Sequence, residues 1–256
     1  MVHGIDVFRT AFAGFSENYV LIGGTASDMI LNLEGVPFRA TKDIDIVLVV
    51  ENLTPEFAKA FWAFVGAGGY KVYETKQAEP KYYRFLEPTN KEYPFMLELL
   101  SRVPDGIDYD RPGVITPIPV DDTVESLSAI LLNDEYYGLI IESKVLIDGV
   151  PVVSKDALIQ LKARAWMDLS DRRANGEVVK GDDIRKHVKD VIRFFATLRP
   201  KDANQLEEGS IKVDMTEFLS RLGRSGIILG DVVPALKGVP IETMVERMSG
   251  YFGMSA

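Results

Sequence analysis

The sequence contains no cysteine and only two histidines, His3 and His187. The lack of cysteine excludes disulfide bonds, thiolate metal ligands and thiol nucleophiles. No hydrophobic run approaches the length of about 20 residues that a membrane-spanning helix needs. The first residues also lack the basic-then-apolar order of a secretory signal peptide. These absences predict a soluble, cytoplasmic protein with no membrane partner.

Positive charge is scarce, because the net charge of the chain is −9. This balance argues against broad coating of a nucleic acid, although it permits a local basic site. Residues 155–200 carry eleven basic and seven acidic side chains, so the acidic excess lies in the rest of the chain. Two interpretations of this basic stretch stay open: a solvated helical surface, or an anion site that faces an acidic partner domain.

The order of the sequence patterns predicts an α/β (α+β) fold with a mixed sheet flanked by helices, followed by a helical C-terminal half. We place the boundary between an α/β core at residues 1–153 and a helical domain at 154–256. The two halves can still share one core. Residues 138–153 alternate around Asp148-Gly149, which indicates a β-hairpin. Helices are predicted at 5–17, 25–33, 54–65, 122–132, 155–169, 182–198, 214–223 and 240–252, and further strands at 19–22, 43–50, 71–74, 81–87 and 93–100.

Two carboxylates, Asp43 and Asp45, open a strongly apolar strand pattern. Side chains alternate across a strand, so both carboxylates point to one face and Ile44 and Ile46 to the other. Two close carboxylates repel each other, and burial increases the repulsion. A hard cation such as Mg²⁺ removes it, since Mg²⁺ prefers oxygen ligands. The pair is therefore a candidate metal site, with a hydrated strand end as the alternative.

A glycine pair, Gly23-Gly24, lies between the strand at 19–22 and the helix at 25–33. The N-terminus of a helix offers free N–H groups and the positive end of its dipole, which suit a phosphate. Thr25 adds a hydroxyl. The pattern is neither a Walker loop nor a G-x-G-x-x-G motif. It predicts either phosphate binding or a simple tight turn.

A third acid, Glu98, stands in the middle of an apolar strand pattern. An unpaired carboxylate there would be unfavourable. Glu98 must therefore either have a cationic partner, such as Arg84 or Arg102, or face the same metal site as the aspartates. Three strand-borne acids together with a glycine turn fit two-metal phosphoryl chemistry.

These motifs resemble the polymerase-β-type nucleotidyltransferase superfamily, and within it the AbiEii-type toxins of bacterial type IV toxin–antitoxin systems. The resemblance covers roughly residues 18–200. It rests on three segments and departs from the family pattern at two positions, where His187 and Glu98 each replace the more usual aspartate. The segments are Gly23-Gly24-Thr25, Arg39-x-Thr41-x-Asp43-x-Asp45 with the later strand acid, and a helical half with Leu161-Lys162-Ala163-Arg164-Ala165 and Lys186-His187-Val188-Lys189-Asp190.

The resemblance implies a role for each matching residue of the α/β half. The residues that would hold the nucleoside triphosphate are Gly23, Gly24, Thr25 and Arg39, although Arg39 could instead hold the loop. The residues that would bind the metals are Asp43, Asp45 and Glu98, and Glu98 could instead help to deprotonate the attacking hydroxyl.

In the helical half, the resemblance implies that Lys162 contacts phosphates and that Asp190 orients Lys162 or the substrate. Both residues have a simpler interpretation. Lys162 could be a surface lysine whose aliphatic stem packs on the helix. Asp190 could form an ordinary i,i+4 surface pair with Lys186.

We therefore predict a nucleotidyltransferase that depends on Mg²⁺, with a two-metal site, and that moves a nucleoside monophosphate from an NTP to an acceptor. The acceptor could be RNA such as tRNA, a protein side chain or a small molecule. The protein could be the toxin of a toxin–antitoxin pair, with a cognate antitoxin as partner. The alternatives are a catalytically idle copy that serves as a binding or regulatory module, and a metal-dependent phosphohydrolase, which the scarcity of histidine disfavours.

Overall fold

The computed structural model describes residues 2–74, 81–101, 116–117, 133–199 and 203–254. Within these residues, eight strands form one mixed sheet and the chain has eight α-helices. The predicted α/β class is confirmed. The chain divides into two compact units, residues 1–154 and 155–256.

The first unit contains the whole sheet. The strand order is β6-β3-β4-β5-β2-β1-β8-β7, and β2 pairs parallel to β5 but antiparallel to β1. The strands are β1 (Tyr19–Ile22), β2 (Asp43–Leu48), β3 (Lys71–Glu74), β4 (Lys81–Leu86), β5 (Met96–Ser101), β6 (Thr116–Pro117), β7 (Lys144–Ile147) and β8 (Val150–Val153). The helices of this unit are α1 (Ile5–Ala11), α2 (Gly23–Leu33), α3 (Pro55–Gly68) and α4 (Asp134–Glu142).

An aromatic layer covers one face of the sheet. Phe61 and Trp62 of α3 lie with their ring centroids 5.4 Å and 5.8 Å from that of Phe85 on β4. Phe8 of α1 packs in the same way against Tyr19 of β1. Side chains alternate along each strand. The residues next to Tyr19 on β1 and next to Phe85 on β4 therefore point to the opposite face of the sheet, together with the residues paired with them on β2 and β5.

Helix α3 follows its sequence signals closely. Thr54 caps the N-terminus, since its Oγ1 accepts a hydrogen bond of 3.2 Å from the N–H of Phe57. Pro55 takes the first helical position, where its missing N–H is not needed. The helix ends at Gly68 rather than at the predicted residue 65, and Gly69 closes it in the left-handed conformation with φ 63°.

Several predicted elements of the first unit differ in extent from the observed ones. Helix α1 ends at Ala11 rather than at residue 17. Tight turns follow instead, with the N–H of Phe15 bonded to the carbonyl of Phe12 and that of Asn18 to the carbonyl of Phe15. The strands predicted at 43–50 and 93–100 are also shifted, because β2 stops at Leu48 and β5 begins at Met96, after Pro94.

The predicted hairpin around Asp148-Gly149 is confirmed as β7 and β8. Asp148 and Gly149 have φ values of 49° and 80°, the double positive φ of a type I′ turn. Residues 138–142, however, belong to α4. Asn133 caps this helix by accepting hydrogen bonds from the N–H groups of Glu135 and Tyr136. The helix predicted at 122–132 lies outside the described residues.

The second unit is helical, as predicted. Its helices are α5 (Lys155–Ala174), α6 (Gly181–Thr197), α7 (Ser210–Gly223) and α8 (Ile241–Tyr251), so α5 runs five residues beyond its predicted end. Trp166 of α5 packs edge-on against Phe218 of α7 in its core, with ring centroids 5.4 Å apart. Across the described residues of both units, no helix combines the length and apolar character needed to cross a membrane.

Candidate active site

Three charged side chains form a row across neighbouring strands. Arg84 on β4 lies directly opposite Glu98 on β5, and Glu98 lies directly opposite Asp45 on β2. Asp45 in turn faces Ile22, the last residue of β1 before the glycine pair. Directly opposite residues of paired strands point to the same side of a sheet. The row therefore leads along one face of the sheet to the beginning of α2.

Asp43 lies beside this row, two residues before Asp45 on the same strand. The residues between and after them, Ile44 and Ile46, are 0% and 1% exposed, whereas both aspartates are only partly buried. This is the alternation expected of a strand with one face in the core. The two carboxylates thus share one face, as the sequence pattern requires.

The glycine pair forms the first turn of α2, two residues earlier than the sequence suggested. Gly23 has φ 64°, and a Cβ on it would collide with the carboxylate of Asp45. Gly24 donates its N–H to Oδ2 of Asp45 over 3.3 Å. Glycine is needed here both for the backbone conformation and for the close approach of the carboxylate. The N-terminus of α2 therefore lies directly against the candidate metal ligand.

Two threonines support this contact. Thr25 is fully buried, and its Oγ1 donates a 2.6 Å hydrogen bond to the backbone carbonyl of Asp43. Its hydroxyl therefore joins α2 to β2, and its role towards a nucleotide stays a prediction. Thr41 lies on the other side of the turn, where a Cβ on Gly24 would come within 2.5 Å of its Oγ1. Sequence reasoning gave Thr41 no role, although it stands within the motif.

Burial raises the pKa of Asp45 well above its ordinary value. The charges of Glu98 and Asp43 raise it further, while the hydrogen bond from the amide of Gly24 lowers it. The charged form of Asp45 is therefore disfavoured at this position, and a nearby cation would favour it.

Arg84 is the cationic partner that the sequence left open for Glu98. Its Nε and Nη2 lie 2.8 Å and 2.7 Å from Oε1 of Glu98. Glu98 is 5% exposed, so this is a buried ion pair. The other candidate partner, Arg102, lies outside the described residues.

The acids fit a metal site only in part. In the part of the chain that the structure describes, no group of three or more acidic or histidine side chains is arranged to hold a metal ion. Asp43 and Asp45 suit Mg²⁺, because they place oxygen ligands on one face of the sheet. Glu98 is engaged by Arg84. Its role as a third metal ligand stays a prediction.

Arg39, which the resemblance assigned to the phosphates, lies in the connection between α2 and β2. Its side chain is exposed, and its guanidinium lies 5.0 Å from the ring centroid of Phe38. Such a contact holds the charged group near an aromatic face at the surface. Its role towards a nucleotide stays a prediction.

In the second unit, Lys162 and Asp190 form a buried ion pair between α5 and α6. Nζ of Lys162 lies 2.9 Å from Oδ2 of Asp190, and the two residues are 5% and 0% exposed. Arg193 donates to the other carboxylate oxygen over 3.0 Å. The surface interpretations of both residues are wrong, and Lys186 pairs with Asp183 instead. The contact implied by the resemblance exists, while a catalytic role for it stays a prediction.

Comparison with known proteins gives one weak likeness. No family model matches the chain, and no curated protein matches it. The fold resembles the crystal structure of an antigenic nucleotidyltransferase-like protein from Paracoccidioides brasiliensis, with 17% sequence identity and a TM-score of 0.39 over 94% of this chain and 93% of that chain. A likeness of this size assigns no activity, so the functional case rests on the site.

Proposed function

We propose that this protein is a nucleotidyltransferase that depends on a divalent cation. It would transfer a nucleoside monophosphate from an NTP to an acceptor and release pyrophosphate. The observation that supports this most directly is the contact between Asp45 and the glycine turn, where the N–H of Gly24 meets a carboxylate of the acidic cluster. A candidate cation site and a candidate phosphate site thus adjoin each other.

Asp43 and Asp45 are the proposed ligands of Mg²⁺, in the pair of sites that the family resemblance implies. When bound, Mg²⁺ would supply positive charge to the triphosphate and favour the ionised form of the acceptor hydroxyl. The chain's own contribution is to hold the two carboxylates on one face. Thr25 contributes by donating a hydrogen bond to the backbone carbonyl of Asp43, which fixes this part of β2 against α2.

Gly23 and Gly24 are the proposed phosphate-binding residues, because the first N–H groups of α2 have no partner within the helix. The long hydrogen bond from the N–H of Gly24 to Asp45 would then give way to the phosphate. The exposed guanidinium of Arg39 supplies a positive charge in the connection that leads to β2. Lys162, held by Asp190, is the proposed phosphate-binding residue of the helical unit, and Glu98 is the proposed third acid.

The acceptor is an open part of the proposal. RNA such as tRNA, a protein side chain and a small molecule all carry a hydroxyl that could attack the α-phosphate. The resemblance to AbiEii-type toxins adds a finer proposal, that the protein is the toxin of a two-component system and binds a cognate antitoxin.

The test uses purified protein, Mg²⁺ and each NTP labelled at the α-phosphate, with total cell RNA and total cell protein as acceptors. We expect label to enter one fraction with the wild type and not with Asp45→Asn. Label at the γ-phosphate should not be transferred. Release of nucleotide products without labelled acceptor would indicate a hydrolase, and nucleotide binding without turnover would indicate an idle binding module.

A further inference from the structure

An open groove of about 320 Å³ runs between helices α7 and α8 of the helical unit. At one end, Oγ1 of Thr216 on α7 lies 3.6 Å from the sulfur of Met254, which follows α8. At the other end, a Cβ on Gly223 would lie 3.9 Å from Val245 of α8. Leu219 is 4% exposed and belongs to the apolar lining together with Val245 and Met254. The two helices thus run antiparallel along a largely apolar trough.

The two walls of this groove differ in charge. On α8, Glu242 and Glu246 are exposed and one helical turn apart, and neither forms an ion pair within the part of the chain that the structure describes. On α7, the hydroxyl of Thr216 donates to a backbone carbonyl of its own helix, and that of Ser220 accepts a hydrogen bond of 3.0 Å from Arg224. The α8 wall is therefore acidic and unpaired, whereas the hydroxyls of the α7 wall are already bonded.

A buried hydroxyl on the α8 wall also lacks a partner. Ser249 lines the groove and is only 8% exposed, yet its hydroxyl forms no hydrogen bond with any of the described residues. Buried polar groups are rarely left in this state, because losing water without gaining a partner is unfavourable. An occupant of the groove that donates hydrogen bonds would satisfy Ser249.

The shape of the groove favours a helix over a small molecule. Its rim is open along both sides, because Thr216, Ser220 and both glutamates are exposed. Small-molecule sites enclose most of the ligand, whereas an amphipathic helix lays one apolar face into an open groove. From Thr216 to Gly223 the groove is about 10 Å long, which is two helical turns. The two glutamates match basic side chains four residues apart on such a helix.

We propose that this groove is the docking site of an amphipathic, basic helix of a partner protein. Apolar side chains of that helix would cover Leu219 and Val245, and its lysine or arginine side chains would pair with Glu242 and Glu246. Because Arg224 would repel a cation on the α7 side, the basic face of the helix must lie towards α8. The proposal concerns the helical unit alone and does not depend on the proposed transferase activity.

The test uses full-length protein and a fluorescein-labelled peptide of leucine and lysine arranged with helical spacing. Fluorescence anisotropy should show saturable binding that weakens as salt is added, because salt screens the exposed charge pairs. The same peptide with glutamate in place of lysine should not bind, since it meets the acidic wall with like charge.

Two kinds of variant test the charge and the shape of the groove separately. Glu242→Gln/Glu246→Gln should weaken binding of the lysine peptide by at least about 3-fold, because each exposed charge pair contributes a modest amount. Gly223→Leu should weaken it by at least about 10-fold without changing the charge, because its side chain has room to enter the groove and would exclude the apolar anchors.

Each variant has a matched control that should change the affinity by less than about 2-fold. Glu56→Gln/Glu92→Gln removes two exposed charges from the α/β unit, where water screens them. Gly250→Leu adds the same side chain to α8 outside the groove, where a Cβ would meet open space. If Gly223→Leu loses cooperative unfolding, the two charge variants still decide the question, because all four of their side chains are exposed.

Three results would overturn the proposal: no binding of the lysine peptide to the wild type, equal binding of the glutamate peptide, or wild-type affinity in Gly223→Leu. Sedimentation of the wild type checks a different occupant. Self-association that disappears in Gly223→Leu would assign the groove to a second copy of this chain and would also overturn the proposal.

Discussion

The two units of this protein each bury a cluster of charged side chains, and the two clusters differ in charge balance. In the helical unit, Asp190 is bonded by Lys162 on one oxygen and by Arg193 on the other. In the α/β unit, Asp45 has the acids Glu98 and Asp43 as its charged neighbours. Arg84 contacts this cluster through Glu98.

This difference separates two uses of buried charge. A carboxylate that meets cations of its own fold is satisfied without a ligand, and its loss is felt as lost stability. A carboxylate surrounded by other acids has its pKa raised and needs a cation from outside to stay ionised. The comparison therefore predicts that substitutions in the acidic cluster of the α/β unit affect function and that substitutions in the cluster of the helical unit affect folding.

The largest effect is expected from Asp45→Asn. Nucleotidyl transfer should fall at least about 1000-fold, because several kcal/mol of transition-state stabilisation depend on the bound cation. The free energy of unfolding without metal should be unchanged or higher, since the substitution removes one of three repelling carboxylates. Labelled transfer and urea unfolding measure the two quantities, and Asp43→Asn serves as a parallel variant. Loss of cooperative unfolding in both would show that the cluster is structural.

Lys162→Met should lower the free energy of unfolding by about 3–5 kcal/mol, because it removes the buried cationic partner of the fully buried Asp190. The double variant Lys162→Met/Asp190→Leu should recover most of this loss. Urea unfolding of the single and double variants forms the required cycle.

The same residue also tests the role that the family resemblance implies. If Lys162 acts on phosphates, Lys162→Arg should keep much of the stability and still lose turnover, since a planar guanidinium does not replace a compact ammonium group. Wild-type turnover in Lys162→Arg would show that the pair of Lys162 with Asp190 is structural. The charged cluster of the helical unit would then serve stability alone.

Gly23→Ala should cost about 1–3 kcal/mol of stability, because a non-glycine residue is strained at φ 64° and its Cβ would meet Asp45. It should also remove the rise in melting temperature that Mg²⁺ and an NTP give the wild type. Gly24→Val should remove that rise as well. Gly14→Ala is the control, because a Cβ at Gly14 would meet open space. A full thermal shift in Gly23→Ala would place the nucleotide elsewhere.

The smallest effect is expected from Arg185→Ala, on the same helix as Asp190. Arg185 pairs with Asp182, but the two side chains are 61% and 92% exposed. The free energy of unfolding should change by less than about 0.5 kcal/mol, because water and salt screen such a pair. A loss of stability as large as that of Lys162→Met would show that the exposed and the buried ion pairs of α6 contribute equally to stability.

Local patterns predicted the elements that depend on near neighbours. The alternation from Asp43 to Ile46 placed both aspartates on one face, because side-chain direction in a strand has a period of two residues. Thr54 and Pro55 marked the beginning of α3, and Asp148-Gly149 marked a hairpin, since caps and turns are satisfied within a few residues.

The errors have a common cause in longer-range packing. Helix α1 stops early, and Phe12, the residue after it, is buried against the aromatic rings of α3 and β1. Helix α4 was not predicted. Tyr137 within it donates a hydrogen bond to Glu51 and accepts one from the N–H of Val50, both far away in the sequence. Neither contact can be read from residues close in sequence.

By itself, the sequence determined that a strand with two aspartates on one face follows a glycine pair and a helix. Only the tertiary structure decided which charges meet there. The pairing of β2 with β5 placed Glu98 beside Asp45, and the pairing of β4 with β5 gave Glu98 the guanidinium of Arg84. The packing of α5 against α6 buried Lys162 on Asp190. Strand register and helix packing join residues far apart in the chain, and the energy of a charge depends on those neighbours and on its distance from water.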